Sequence, residues 1–179
     1  MHEVMEVHEA SEHHEENPFM MPVAVTLSIL AVLVAIATLL GHRAATEELI
    51  LQTKASDQWA LFQAKNIRLH EMQSVADILG SLTPVEKEKA GALREKYLSE
   101  AERYEKEKDQ VSEQATELEK ERDLVGRRGD RYDAGEVILE IALIVCSLTL
   151  LTKKRLFWFS GIALGFVGLV VTASGFLLH

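Results

Sequence analysis

Hydrophobic and polar positions along this chain are segregated into long blocks. Residues 18–41, PFMMPVAVTLSILAVLVAIATLLG, contain no ionisable group. The run exceeds the roughly 20 residues an α-helix needs to cross a hydrocarbon core of about 30 Å, which predicts a first transmembrane helix. It follows six glutamates and no lysine or arginine, so it lacks the basic leader of a secretory signal and is expected to be a retained anchor. Two further apolar runs, 134–152 and 156–178, are separated only by Lys153, Lys154 and Arg155. So short a basic loop predicts two antiparallel spans. Its cations can snorkel to head groups, and Trp158 sits one turn inside, where interfacial tryptophan is favoured.

Between these runs, residues 42–133 are dense in charge, poor in glycine and show no sustained strand-like alternation. The punctuation lies in LGSLTPVE, residues 79–86. Gly80 is placed to end one helix in a left-handed conformation, and Thr83 to cap the next. Pro84 then takes the first helical position and Glu86 the third, completing a Thr-x-x-Glu capping box. The arms, 42–79 and 84–126, match in length, each roughly 60 Å at about 1.5 Å per residue.

The returning arm places Ala90, Leu93, Tyr97, Ala101, Tyr104, Lys108, Val111, Ala115, Leu118, Arg122 and Val125 at near-heptad spacing. Leu51, Ala55, Phe62, Leu69, Met72, Ala76 and Leu79 form the matching stripe on the outgoing arm. The predicted fold is an all-α membrane protein. Three transmembrane helices carry a long antiparallel coiled-coil hairpin between the first and second. An acidic tail over 1–17 precedes the first helix, the turn falls at 80–83, and 153–155 form the basic loop.

The hairpin seam is thin, with alanines and charged residues at core positions, so neighbouring subunits are expected to complete it. Asp57, Trp59, Phe62, Gln63 and Lys65 on the outgoing arm are the candidate subunit or partner interface. The spans point the same way. Gly161, Gly165, Gly168, Thr172 and Gly175 recur at spacings of four and three, as do Ala24, Ser28, Ala31, Ala35 and Thr38. Helices in lipid associate by close packing along such small faces, so both seams predict helix packing and a homo-oligomer.

Glu136 and Glu140 open the second span and share one helix face. A carboxylate inside a bilayer is expensive unless paired, hydrated or protonated. The expected resolution is a membrane-interface contact with His42 or Arg43 at the end of the first span. The competing reading is a cation or proton site.

Little else suggests chemistry. His8, His13 and His14 in the tail are candidate metal ligands, but their spacing matches no recognised zinc site and no cysteine joins them. The sole cysteine, Cys146, falls mid-span, which excludes an intramolecular disulfide. No phosphate-binding glycine loop, metalloprotease helix or nucleophile motif occurs, so no catalytic residue, enzymatic activity or cofactor is expected. With 47% hydrophobic and 26% charged residues, the chain has little of the uncharged polar middle of a soluble domain, and its net charge of −9 excludes nucleic acid as a partner.

The stretch LGHRAATEELILQTKASDQWALFQAKNIR at 40–68, with the leader and first span, resembles the bacterial membrane proteins catalogued as domain of unknown function family 4337. That resemblance implies a bacterial inner-membrane protein with no catalytic residues to carry over. Near the spans, Arg43, Lys54, Arg122, Arg127, Arg128 and Arg131 on the hairpin side outweigh Lys153, Lys154 and Arg155 opposite, which favours a cytoplasmic hairpin. The predicted function is a non-enzymatic, oligomeric inner-membrane scaffold or accessory protein. Its partners would be the bilayer, copies of itself and another membrane-protein complex. The alternative is an ion-conducting or transport oligomer with Glu136 and Glu140 at the mouth of its path.

Overall fold

The computed structural model describes residues 19–81 and 84–178, with only the backbone of 84–89. Three α-helices follow one another: α1 over Met20–Gly80, α2 over Pro84–Thr152 and α3 over Arg155–Ser174, closed by a 3-10 turn at Gly175–Leu177. There is no strand among the described residues. The two prolines among the described residues sit where helices tolerate them. Pro22 lies in the first turn of α1 and Pro84 opens α2, where backbone N–H groups lack helical acceptors anyway. The first apolar run and the outgoing arm are therefore one unbroken helix, as are the returning arm and the second apolar run.

Both junctions pass through glycines that cost roughly 1 kcal/mol each in a helix interior. Packing explains their presence. A side chain at Gly41 would collide with the Asp133 carboxylate, and one at Gly135 would meet the Thr172 backbone nitrogen at 2.9 Å and the Gly168 carbonyl at 3.1 Å.

α1 and α2 run antiparallel over their whole length. The register is marked by Thr38 with Glu136, Gln52 with Arg122, Trp59 with Glu119, Lys65 with Glu107, and Ala76 with Arg94. Leu51, Ala55, Leu69 and Ala76 are buried against the seam of Ala101, Val111, Ala115 and Val125. Leu93 departs from its expected place and is 46% exposed. Arg94 turns inward instead, donating from Nε to the Ala76 carbonyl at 3.2 Å and lying against Gly80. The small residues Ala76 and Gly80 leave room for that side chain, where a leucine would bury little.

Gly80 also differs from expectation. It is helical rather than left-handed, and Ser81 ends α1 with φ −88° and ψ −4°, its N–H reaching the carbonyls of Asp77 and Ile78. A residue in that conformation closes the helix without positive φ. The Thr83–Glu86 capping box lies outside the described residues.

At the other end, α3 folds back along α2. Gly161 lies against Cys146, Gly168 against Leu139 and Gly175 against Tyr132. Leu30 of α1 reaches Gly165. Val23, Leu30 and Ala37 of α1 form one buried cluster with Leu139, Ala142 and Cys146 of α2, and Trp158 and Leu164 of α3 pack against it. The turn before α3 holds Lys153 at φ 54°, a left-handed conformation unusual for a residue with a side chain. Arg155 stacks over Phe19 at 5.0 Å, and Trp158 meets Phe19 edge-on while donating to Thr26 at 3.1 Å.

Each helix carries an apolar segment long enough to cross a membrane. The outward surface of this end is itself apolar, with Val25, Ile29, Val32, Phe159 and Phe166 each about half exposed or more.

Because a side chain at Gly168 would meet Leu139 Cγ at 2.8 Å and its backbone nitrogen at 3.1 Å, Gly168→Leu is expected to lower stability by about 1–3 kcal/mol through overpacking. Ala163→Leu, on the exposed face of α3, is expected to leave it nearly unchanged. Denaturant unfolding in mild detergent, followed by helicity, compares the two.

Candidate functional site

The two glutamates near the start of the apolar part of α2 occupy different environments. Glu136 is half-buried, and its Oε1 lies 2.5 Å from the Thr38 hydroxyl of α1. Thr38 Oγ1 is also 3.0 Å from its own helix's Val34 carbonyl. One hydroxyl proton serves only one of these acceptors at a time.

Glu140 lies one turn further on, about 6 Å deeper at 1.5 Å per residue, and is exposed. Its neighbours Leu139 and Ala142 pack against Gly168 and Gly161, which places Glu140 opposite the middle of α3. The expected pairing with His42 or Arg43 is not formed. Both of those side chains are exposed, and no ion pair or hydrogen bond joins them to either glutamate. The reason is depth: Gly41 is level with Asp133, so His42 and Arg43 face the turn before Glu136 rather than Glu140.

The two small-residue seams also part company. Gly161, Gly165, Gly168 and Gly175 are buried inside the chain against α2 and Leu30. Ala24, Ser28, Ala31 and Ala35 are all exposed. Their stripe ends at Thr38, the residue that meets Glu136. Glu136 therefore marks the end of the open small-residue face of α1, and Glu140 follows one turn along the same face of α2.

In the hairpin, Trp59 donates from Nε1 to Glu119 at 2.9 Å and meets Phe62 edge-on at 5.5 Å. Lys65 pairs with Glu107 at 2.5 Å, and Lys108 lies 5.9 Å over the Phe62 ring. Three of the candidate interface residues thus tie α1 to α2 within the chain, while Asp57 and Gln63 stay exposed. The periodicity already placed Phe62 and Lys108 on the two facing stripes. Glu119 and Glu107 carried no such signal, because flanking glutamates are common along the whole returning arm. The hydrogen bond from Lys65 holds the Glu107 carboxyl below its ordinary value of 4.5, opposed by partial burial and aided by the charges of Lys65 and Arg103.

Sequence reasoning also missed Arg128, whose Nε donates to the Leu178 carbonyl at 2.8 Å and pins the end of the chain's third apolar segment to α2. No group of three or more His, Cys, Asp or Glu side chains among the described residues could hold a metal ion. His8, His13 and His14 lie outside them.

A family model described as Domain of unknown function (DUF4337) matches residues 19–178, nearly the whole chain. The chain belongs to this family. No curated protein and no solved structure matches it significantly. In this DUF4337 chain the match covers all three helices, so the hairpin and the apolar end are parts of one family unit.

The depressed Glu107 carboxyl gives a pH dependence of definite sign. A folded-state value below the unfolded one stabilises the hairpin at neutral pH, and that contribution is lost as pH falls from about 4.5 through the lower folded value. Acid titration followed by helicity is expected to show a smaller loss in that range for Glu107→Gln than for the wild type.

Proposed function

We propose that this DUF4337 protein is a non-enzymatic, oligomeric scaffold of the bacterial inner membrane. Its three apolar segments span the bilayer, and its α1–α2 hairpin stands off the membrane to meet partners. The observations that carry the reading are the exposed small-residue face of Ala24, Ser28, Ala31 and Ala35 on α1 and the exposed Glu140 carboxylate within the apolar part of α2. A lone charge facing lipid is costly, and alanine and serine allow a second helix to approach closely. Both point to a second copy of the chain packing against these spans, closing the open face of α1 and removing the carboxylate from lipid.

The hairpin belongs on the cytoplasmic side. Arg43, Arg122, Arg127, Arg128 and Arg131 cluster at its base, and basic residues are retained there. The aromatic and ionic ties of Trp59 and Lys65 within the chain suit a stiff arm better than an adaptable pocket, leaving Asp57 and Gln63 free to contact a partner.

One observation favours a second reading. Glu140 lies opposite the middle of α3, the depth at which transporters place coupling groups. An ion-conducting oligomer would line its path with this face.

Two measurements separate the readings. A cysteine at Ala31, in a Cys146→Ala background, is expected to form disulfide-linked dimers on mild oxidation in native membranes, whereas one at Ala163 on α3 stays monomeric. Monomers at both positions would contradict the scaffold's self-association. Purified wild-type protein in vesicles is expected to pass no cation current, and a current abolished by Glu140→Gln would replace the scaffold with the conducting oligomer.

A further inference from the structure

The base of the hairpin holds a basic feature that neither the seams nor the carboxylates use. Arg127, Arg128 and Arg131 occupy one turn of α2. Arg128 is committed to the Leu178 carbonyl at 2.8 Å. Arg127 and Arg131 stand four residues apart, hence on one face. They line a recess of about 290 Å³ together with Asp130, Ala134 and Leu178. Both are exposed, and neither guanidinium makes a hydrogen bond or ion pair with a described residue. A neighbouring acidic recess holds Glu48, Asp123, Asp130 and Gly126 on the other side of Arg127, yet Arg127 pairs with none of them.

We propose that this recess binds the phosphate of an anionic phospholipid. Guanidinium groups match phosphate oxygens with forked, charge-assisted hydrogen bonds. Two unpaired arginines beside a third outweigh the single carboxylate of Asp130 in the lining. The recess is below the size of a drug-like pocket, with room for a phosphodiester and part of its alcohol.

Position selects a lipid over a soluble phosphate. The recess lies where the apolar segments end, floored by Ala134 and Leu178. Below Ala134, Ile138, Ile141 and Val145 continue at helical spacing, half-buried to exposed, and offer a track for an acyl chain. Basic pockets at the ends of membrane helices bind head groups in this way. The site rests on the membrane reading proposed above and is independent of self-association.

The test uses the full chain in nanodiscs of phosphatidylcholine with a minor fraction of phosphatidylglycerol, read by native mass spectrometry of the released protein. Wild type is expected to retain the anionic lipid at least tenfold over its nanodisc share. Arg127→Gln with Arg131→Gln is expected to lose that enrichment at unchanged helicity, and Lys153→Gln with Lys154→Gln at the opposite end to keep it. Millimolar glycerol phosphate is expected not to displace the lipid.

Equal retention of both lipids, or enrichment that survives the double arginine substitution, would overturn the site. Displacement by glycerol phosphate would also overturn it, in favour of a soluble phosphate ligand. Failure of the wild type to enter nanodiscs at all would overturn the membrane reading and this site with it.

Discussion

Close approach of α3 to α2 is the constraint on which the apolar end depends. Gly161, Gly165, Gly168 and Gly175 remove side chains from one face of α3, and Cys146, Leu139 and Tyr132 of α2 move into the space. In an apolar solvent there is no hydrophobic force to hold helices together, so contact of this kind and interhelical hydrogen bonds must serve. α2 is consequently the shared partner. Its one flank takes α3, its other takes α1 through Thr38 and Glu136, and Leu30 fills the gap at Gly165.

Because α1 and α2 continue without a break from this cluster into the hairpin, the two parts are mechanically one. Gly41 and Gly135 would be natural hinges in an isolated helix. Here each is held against the Asp133 carboxylate or the α3 backbone, which converts a weak point of the helix into a contact. Ala44, Leu51, Val125 and Tyr132 form a second buried cluster immediately beyond. Further out the seam is narrower, and cross-helix pairs such as Trp59 with Glu119 and Lys65 with Glu107 contribute alongside apolar burial. A hydrogen bond and a half-buried, solvent-accessible ion pair of this kind add modestly to stability, so the arms are held mainly by their alanine, leucine and valine stripe.

Much of this was legible in the residue pattern, and the failures have physical causes. The apolar runs and the matched arms announced three long helices and a turn near residue 80, because block length and heptad spacing are local properties. The partner of each face was not local. The glycine stripe of α3 and the alanine stripe of α1 read alike, yet one is buried within the chain and the other is open. Glu140 was misplaced in depth because antiparallel register, set by Gly41 against Asp133, cannot be counted along a single helix. Leu93 fitted the apolar period and lost its place to Arg94, since the small residues across the seam left space for an arginine to reach the Ala76 carbonyl.

The measurement that bears most directly on the proposed stiff arm projecting from a membrane is energy transfer in vesicles. A donor would be placed on a cysteine at Ser81 in a Cys146→Ala background, with acceptor-labelled lipids in both leaflets. From Gly41 to Gly80 an unbroken helix rises about 60 Å at 1.5 Å per residue, so transfer is expected to be weak and unchanged by acceptor density across the usual range. Strong transfer that grows with acceptor density would put the tip on the bilayer surface and contradict a continuous, upright hairpin.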